Sequence, residues 1–217
     1  LREHLQTAAN RFLALLDPRP AEAAAPTVEL TMVPVPAPVW WGFLREPAWL
    51  RPTCADDAPL VAFAVFAHSG DNVARCWARA IPVALAESFA FRAEAETVAL
   101  APIADGSLAD VQAPWSDDEA LGFARLDEDR FADIVVTGQV DESAGRCRIE
   151  LTVYDAPRRL KLATLTRSGA SSAVGAMLRT LELELAGAIG RELGGDALGV
   201  YSAPHPRGMA DRLLALE

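Results

Sequence analysis

The strongest constraint on the fold is a stretch of three alternating runs between residues 132 and 169. Apolar and polar residues alternate in each run, which is the pattern of a strand with one buried and one solvated face. Two turn-forming sequences, "DESAG" and "DAPRR", separate the runs, so we predict three consecutive strands in an antiparallel meander. The apolar positions that define the buried face are Ile134, Val136, Ile149, Leu151 and Val153.

The segment before the meander alternates strand and helix patterns. A continuous apolar run over residues 59–67 predicts a strand covered on both faces, and residues 71–91 repeat apolar side chains at helical spacing. Pro82 lies inside that helical pattern, so we expect a kink there or the start of a second helix. A strand over 96–105 and a short helix over 116–129 precede the meander, and an amphipathic helix follows it.

These predicted elements follow the order β-α-β-α-β-β-β-α. A right-handed βαβ crossover that leads into an antiparallel meander predicts an α/β fold, an α+β sandwich with a mixed sheet. We assign this domain to residues 59–193. Residues 1–58 are predicted to hold an N-terminal helix, a short strand at 27–33 and a Pro/Trp-rich arm. Residues 194–217 form a C-terminal tail that can begin a helical repeat region.

Composition and charge narrow the classes of function. The 217 residues are 51% hydrophobic, which is enough for a substantial core. A formal net charge of −10 opposes nucleic-acid binding and docking on an anionic membrane, since both need clustered basic residues. No apolar run is long enough to cross a bilayer. We therefore expect no nucleic-acid partner and no membrane insertion.

The cysteines and the chain ends bear on location. Cys54, Cys76 and Cys147 are far apart and form no CxxC pair, which is neither a disulfide framework nor a zinc pattern. This favours a reducing compartment, so we expect a cytoplasmic protein, with the periplasm or cell envelope as the alternative. Because the sequence starts at Leu1 and stops within a helical pattern, we interpret it as a piece of a longer protein.

The candidate ligand site follows the first core strand. His68, Ser69 and Asp71 lie just after it, and open α/β sheets bind ligands beyond the carboxyl ends of their strands. Asp105 follows another predicted strand and can share a pocket with His68. A Ser–His–Asp relay is disfavoured, since neighbours in a tight turn do not readily converge. The favoured alternative is structural, with Asp71 or Ser69 capping the next helix and Gly70 permitting the turn.

The Pro-rich arm concentrates the aromatic side chains Trp40, Trp41 and Trp49. Such a group can form a binding patch for a sugar or a partner peptide. It can equally anchor the arm onto the domain core, because large aromatic side chains bury much apolar area. We favour the second interpretation and keep the three tryptophans as candidate partner-binding residues.

No metal and no cofactor are predicted. The acidic clusters at 117–119 and 127–129 lack the spaced oxygen ligands of a calcium loop. No phosphate-binding glycine motif follows a strand, and the hydrolase motif GxSxG is absent.

The meander and the helix after it resemble the amino-terminal domain of the TolB family and the related CsgG- and FlgO-type domains. The family form is an Ala-Asp pair, three hydrophobic residues and a nearby glycine, then an alternating strand that ends in Asp-Ala. Ala132–Asp133, Gly138 and Asp155–Ala156 occupy these positions. The resemblance covers about residues 59–190. Two features depart from the family: no Leu-Pro-Phe-like triplet ends the first strand, and no tryptophan lies in the last meander strand.

The resemblance implies a non-catalytic module, often placed beside repeats of the tetratricopeptide type or signalling domains. We expect an interaction or ligand-sensing role, with a protein partner or flanking domains of the same chain. Two alternatives stay open: a small hydrolase-like enzyme that uses His68, and a structural spacer between other domains. For a protein partner, the edge of the meander and the arm from Trp40 to Trp49 are the expected surfaces, through strand addition or aromatic anchoring.

Overall fold

A computed structural model describes residues 30–36, 54, 57–93 and 95–194. The helix predicted at the N-terminus and the three tryptophans of the arm lie outside these residues. The division of the chain at residues 58 and 194 therefore stays a prediction.

The described strands form one mixed sheet. Their bounds are β1 (Thr31–Pro36), β2 (Leu60–Ala64), β3 (Ala67–Ser69), β4 (Glu96–Ala104), β5 (Ser107–Leu108), β6 (Ile134–Ser143), β7 (Arg146–Asp155) and β8 (Leu160–Ala170). The order across the sheet is β1-β4-β2-β6-β7-β8, with β3 beside β6 and β5 beside β4. β2 runs parallel to β4 and β6, whereas β6, β7 and β8 are antiparallel neighbours. The mixed-sheet α/β fold and the meander are confirmed.

Helices cover both faces of the sheet. Their bounds are α1 (Asn72–Arg92), α2 (Asp117–Gly122) and α3 (Val174–Ala188), the last preceded by a 3-10 turn. α1 and α3 pack on one face and bury the larger core, in which the rings of Phe63 and Phe89 meet edge to face at 5.6 Å. α2 covers part of the other face, against Val135 and Tyr154. Each fully buried large side chain contributes about 1.5–3 kcal/mol.

α1 continues through Pro82, so no second helix begins there. A proline at this position leaves the carbonyl of Ala78, four residues earlier, without its helical donor. The backbone N–H of Phe66, between β2 and β3, donates to that oxygen at 3.1 Å. This bond also explains why the apolar run of 59–67 divides into two strands: Phe66 turns its donor to the helix instead of the sheet.

The helix predicted over 116–129 is wrong beyond Gly122, where α2 ends. Its start is as expected, since Ser116 and Glu119 form a reciprocal capping box. After Gly122 the chain folds back on itself, and the N–H of Ala132 donates to the oxygen of Ala124 at 2.7 Å. The carboxylate of Asp127 accepts two backbone N–H groups within this loop, which a continuing helix would not leave free.

Candidate functional site

Asp71 has a structural role at the start of α1. Its carboxylate accepts the N–H of Val73 at 2.8 Å and the N–H of Ala74 at 3.4 Å, which makes it the N-cap. Gly70, with φ +121°, provides the turn between β3 and α1. The cap is therefore Asp71, one of the two residues proposed for it.

His68 meets Asp110 and Arg79. Its Nε2 lies 3.1 Å from Oδ1 of Asp110, and Nη2 of Arg79, on α1, lies 3.3 Å from the same oxygen. The side chains of His68 and Arg79 are only 11% and 9% exposed, whereas Asp110 is 35% exposed. Nδ1 of His68 and Nε of Arg79 are buried without a hydrogen-bond partner among the described residues. The partly exposed carboxylate of Asp110 is thus the shared polar partner of two largely buried side chains, His68 and Arg79.

The structure pairs His68 with Asp110 and records no bond between His68 and Asp105. Asp105 lies in the turn between β4 and β5 at φ +51°, a conformation that Asp tolerates. Sequence reasoning missed Asp110 because it lies in an irregular loop, where no periodicity marks one acidic residue above another. It missed Arg79 because a charged residue in a helical pattern is usually solvated.

Ser69 and His68 do not form a catalytic pair. In the parallel register of β3 and β6, His68 is opposite Val140 and Ser69 is opposite Asp141, so the two side chains point to opposite faces of the sheet. The Ser69 hydroxyl donates to Oδ1 of Asp141 at 2.6 Å. Cys147 offers no alternative nucleophile, because burial raises the pKa of its thiol to about 12.

Asp110→Asn is expected to lower the free energy of unfolding by about 1 kcal/mol, because Arg79 loses its charged acceptor in a largely buried position. Urea unfolding followed by tryptophan fluorescence measures this change. Asp105→Asn is the matched control and should stay within about 0.5 kcal/mol of the parent chain. Equal costs for the two variants would show that the cluster does not depend on Asp110.

No group of three His, Cys, Asp or Glu side chains in the described part of the chain is arranged to hold a metal ion. Of the helices that the structure describes, none is long and apolar enough to cross a membrane.

The outer edge of β1 has proline at two of its three outward positions, 34 and 36, and Met32 at the third. Leu100 of β4 turns its carbonyl toward β2, where it accepts the N–H of Val65 at 3.3 Å. Pro34 is opposite Leu100 in the antiparallel pair, so its backbone groups also point away from the β1–β4 interface. Pro36 is two residues further along β1, so its backbone groups point in the same direction as those of Pro34. The two positions therefore present no N–H to the open side of β1.

The free edge of β8 keeps its donors. The oxygen of Gly145 accepts the N–H of Ser171 at 2.8 Å, which sets the alternation of hydrogen bonds between β7 and β8. Odd-numbered residues of β8 from 163 to 169 therefore bond to β7. β8 contains no proline, and no described strand pairs with its outer side. The residues whose N–H and C=O groups point outward are Thr164, Thr166 and Ser168.

We call this surface the β8 edge: the outward backbone of Thr164, Thr166 and Ser168, with the side chains of Leu160 and Leu162 beside it. The two leucines are 54% and 42% exposed, so both are accessible to an added strand. The β8 edge thus combines outward N–H groups with accessible apolar side chains, the two features that an added strand needs, while the carbonyl of Thr166 already accepts Nη1 of Arg167 at 2.7 Å.

Lys161 borders this surface. Its Nζ lies 2.9 Å from Oδ1 of Asp117 and 5.6 Å from the centre of the Tyr154 ring. The hydrogen bond from Lys161 and a second from Tyr154 lower the pKa of the Asp117 carboxyl. Burial, and then the bond to Asp117, raise the pKa of Tyr154. Asp117 therefore stays ionised, and Tyr154 keeps the proton that it donates.

The arm residues Trp40, Trp41 and Trp49 lie outside the described residues, and their role as partner-binding side chains stays a prediction.

Comparison with known proteins gives only distant likenesses. No protein-family model matches the sequence, and no curated protein matches it. Similar solved structures include TolB from Acinetobacter baumannii, with 14% identity over 75% of this chain and 30% of the TolB chain, at a TM-score of 0.37. They also include PelC of the dodecamer from Paraburkholderia phytofirmans, with 18% identity over 64% of this chain and 92% of the PelC chain, at a TM-score of 0.36. This chain spans under a third of the TolB chain, and its membership of the TolB family stays a prediction.

Proposed function

We propose that this chain is a non-enzymatic interaction module that binds an extended segment of a partner protein along the β8 edge. The observation that carries this proposal is the difference between the two outer strands. β1 has prolines at two of its three outward positions, 34 and 36, whereas β8 keeps every outward N–H over a strand of 11 residues. Natural sheets protect their edges with proline, charged side chains and bulges; β8 has Lys161, Arg167 and a bulge opposite Val153 and Tyr154 but no proline, so its outward N–H groups stay available to an added strand.

The polar groups after β3 support the non-enzymatic part of the proposal. Asp71 caps α1, Ser69 binds Asp141, and His68 shares Asp110 with Arg79. Each of these side chains has a structural partner. Nucleophilic catalysis by a Ser–His pair would also need the serine on the same side of the sheet as His68, and Ser69 faces the other side.

The test selects displayed random peptides on the 217-residue chain and compares their binding to two variants. Thr164→Pro removes one outward N–H of β8 and leaves the bonds to β7 in place. Thr164→Pro should lower the affinity of the selected peptides by about tenfold or more, since one hydrogen bond is lost and the proline ring obstructs the added strand. Thr164→Ala keeps the N–H and should bind as the parent chain does.

Unchanged thermal melting of Thr164→Pro would show that the loss of binding is local. Peptides that bind Thr164→Pro as tightly as Thr164→Ala would contradict strand addition at β8. A selection that enriches no peptide would contradict the interaction role itself.

A further inference from the structure

We infer that the segment bound along the β8 edge is acidic; this inference rests on the function proposed above. Residues 146–167 contain six basic and two acidic side chains, a formal net charge of +4, in a chain whose net charge is −10. The charge of this segment, β7 to β8, thus opposes that of the protein as a whole, whereas the whole meander from 132 to 169 has six basic and five acidic side chains. The basic residues are Arg146, Arg148, Arg158, Arg159, Lys161 and Arg167.

The sheet places four of these basic side chains next to the β8 edge. Arg158 and Arg159 lie in the turn that leads into β8, and Lys161 and Arg167 lie on the strand itself. Their side chains are 76%, 65%, 45% and 37% exposed, in that order. A segment added to β8 would run past all four, so carboxylates on that segment would be attracted along its length.

Each of these four side chains already has a carboxylate partner, namely Asp155, Asp118, Asp117 and Glu184 in the same order. Arg159 lies 3.2 Å from Asp118, a carboxylate that is 94% exposed, and Arg158 pairs with Asp155 within the same turn. An exposed ion pair such as Arg159–Asp118 contributes about 0–1 kcal/mol, so a carboxylate of a bound segment can replace it at little cost, whereas Asp155 is only 13% exposed. The leucines at 160 and 162 add apolar contact, which favours a segment that mixes acidic with apolar residues.

Two other occupants fit the β8 edge less well. A second copy of the chain would bring Lys161 and Arg167 of two β8 strands together, and like charges across a strand pair are destabilising. A single-stranded nucleic acid would lack a stacking platform, because β8 contains no aromatic residue. An acidic extended peptide uses the backbone groups, the leucines and the positive charge together.

The test measures the binding of three fluorescent peptides, each as long as β8, to the 217-residue chain by anisotropy. Valine and threonine alternate in all three, with three positions filled by Glu, by Gln or by Lys. We expect the Glu peptide to bind, the Gln peptide to bind about tenfold more weakly, and the Lys peptide more weakly still. Added salt should lower the affinity of the Glu peptide much more than that of the Gln peptide, since salt screens exposed charges.

Charge reversal provides the matched variant. The triple variant R158E/R159E/K161E should bind the Lys peptide in preference to the Glu peptide. Arg130→Glu is its control: Arg130 pairs with Glu96 at the start of β4, which three strands separate from β8, and the preference for Glu should remain.

The outcomes separate this inference from the proposal on which it rests. Equal binding of the Glu and Gln peptides, lost in both cases by Thr164→Pro, would overturn the acidic partner and leave strand addition intact. Binding of the Glu peptide that survives Thr164→Pro would contradict strand addition itself. Displacement of the Glu peptide by oligothymidylate, or dimerisation of the chain that Thr164→Pro disrupts, would overturn the inference in favour of nucleic acid or a second copy.

Discussion

Replacing Arg92 with methionine is expected to lower the free energy of unfolding by about 3 kcal/mol at neutral pH. Nη1 of Arg92, at the end of α1, donates to Oε2 of Glu182 on α3 at 3.2 Å, and Glu182 is only 3% exposed. Without Arg92, the buried carboxylate keeps the Arg179 guanidinium at 3.6 Å, which is 30% exposed and a weaker partner. The pair therefore joins the two helices that cover the larger core.

The loss of unfolding free energy in Arg92→Met should be larger at neutral pH than at acidic pH. Burial raises the pKa of Glu182 above its ordinary value of 4.5, and the charges of Arg179 and Arg92 counter part of that rise. Since the folded chain holds this proton more tightly than the unfolded chain, titration of Glu182 favours folding below pH 4.5 and loses stability as pH rises through the folded pKa. Losing Arg92 raises the pKa of Glu182 in the folded chain further. Arg92→Met should therefore lower the free energy of unfolding less near about pH 4 than at about pH 7.

Urea unfolding at the two pH values measures both effects. Arg179→Met is the matched control and should cost about 1 kcal/mol, because that side chain is more exposed. The double variant R92M/E182Q should recover part of the lost stability at neutral pH. A cost for Arg92→Met that is the same at both pH values would contradict the role assigned to the buried carboxylate.

The elements that the sequence predicts well are those with local causes. The meander follows from period-two alternation, and the turn between β6 and β7 has Ala144 and Gly145 at φ +50° and +75°, the conformation of a tight hairpin. α1 and β4 were likewise predicted to within about one residue at each end. In all of these, the residues that determine the structure are neighbours along the chain.

The features that carry function depend on contacts between distant residues. The bond between His68 and Asp110 spans 42 residues, and neither partner has a sequence pattern that selects the other. The identity of the free edge is also non-local, because β1 comes from the N-terminal segment and pairs with β4, which leaves β8 outermost on the other side. The sequence predicts the strands of the meander, but the choice of edge requires the order of the whole sheet.

Pro82 illustrates the same limit from the helix side. Taken alone, a proline in mid-helix predicts a break or a kink. Here the carbonyl that Pro82 leaves unpaired, on Ala78, accepts the N–H of Phe66, whose own place in the sheet is interrupted. Two local irregularities, 16 residues apart in sequence, satisfy each other, and only the folded chain reveals the pairing.

Gly70→Ala is expected to lower the free energy of unfolding by about 3 kcal/mol, for two reasons. The φ of +121° is one that residues with a side chain rarely adopt. An added Cβ would also lie well inside van der Waals contact of the Glu142 backbone oxygen on β6. Since backbone on both sides causes the clash, no side-chain rotation can relieve it, and β3 would have to separate from β6.

Gly106→Ala is the control for Gly70→Ala, because it adds a Cβ at a positive φ without a clash. Gly106 also has a positive φ, +75°, but nothing lies within 4 Å of a Cβ built there, so this variant should cost only about 1 kcal/mol. The difference between the variants, measured by urea unfolding, combines the clash with Glu142 and the greater backbone strain at φ +121° than at +75°. Equal losses of unfolding free energy in the two variants would mean that the positive φ alone causes the loss and that β3 can separate from β6 without a measurable cost.

The same pair of variants tests whether the β8 edge is independent of the loop after β3. β6 and β7 separate β3 from β8 in the sheet, and no residue of the β8 edge contacts Gly70 through a recorded hydrogen bond. Folded Gly70→Ala, held at a temperature well below its melting midpoint, should therefore bind the Glu peptide with the affinity of the parent chain. A large loss of affinity in that folded state would mean that the binding surface extends across the sheet to His68 and Ser69.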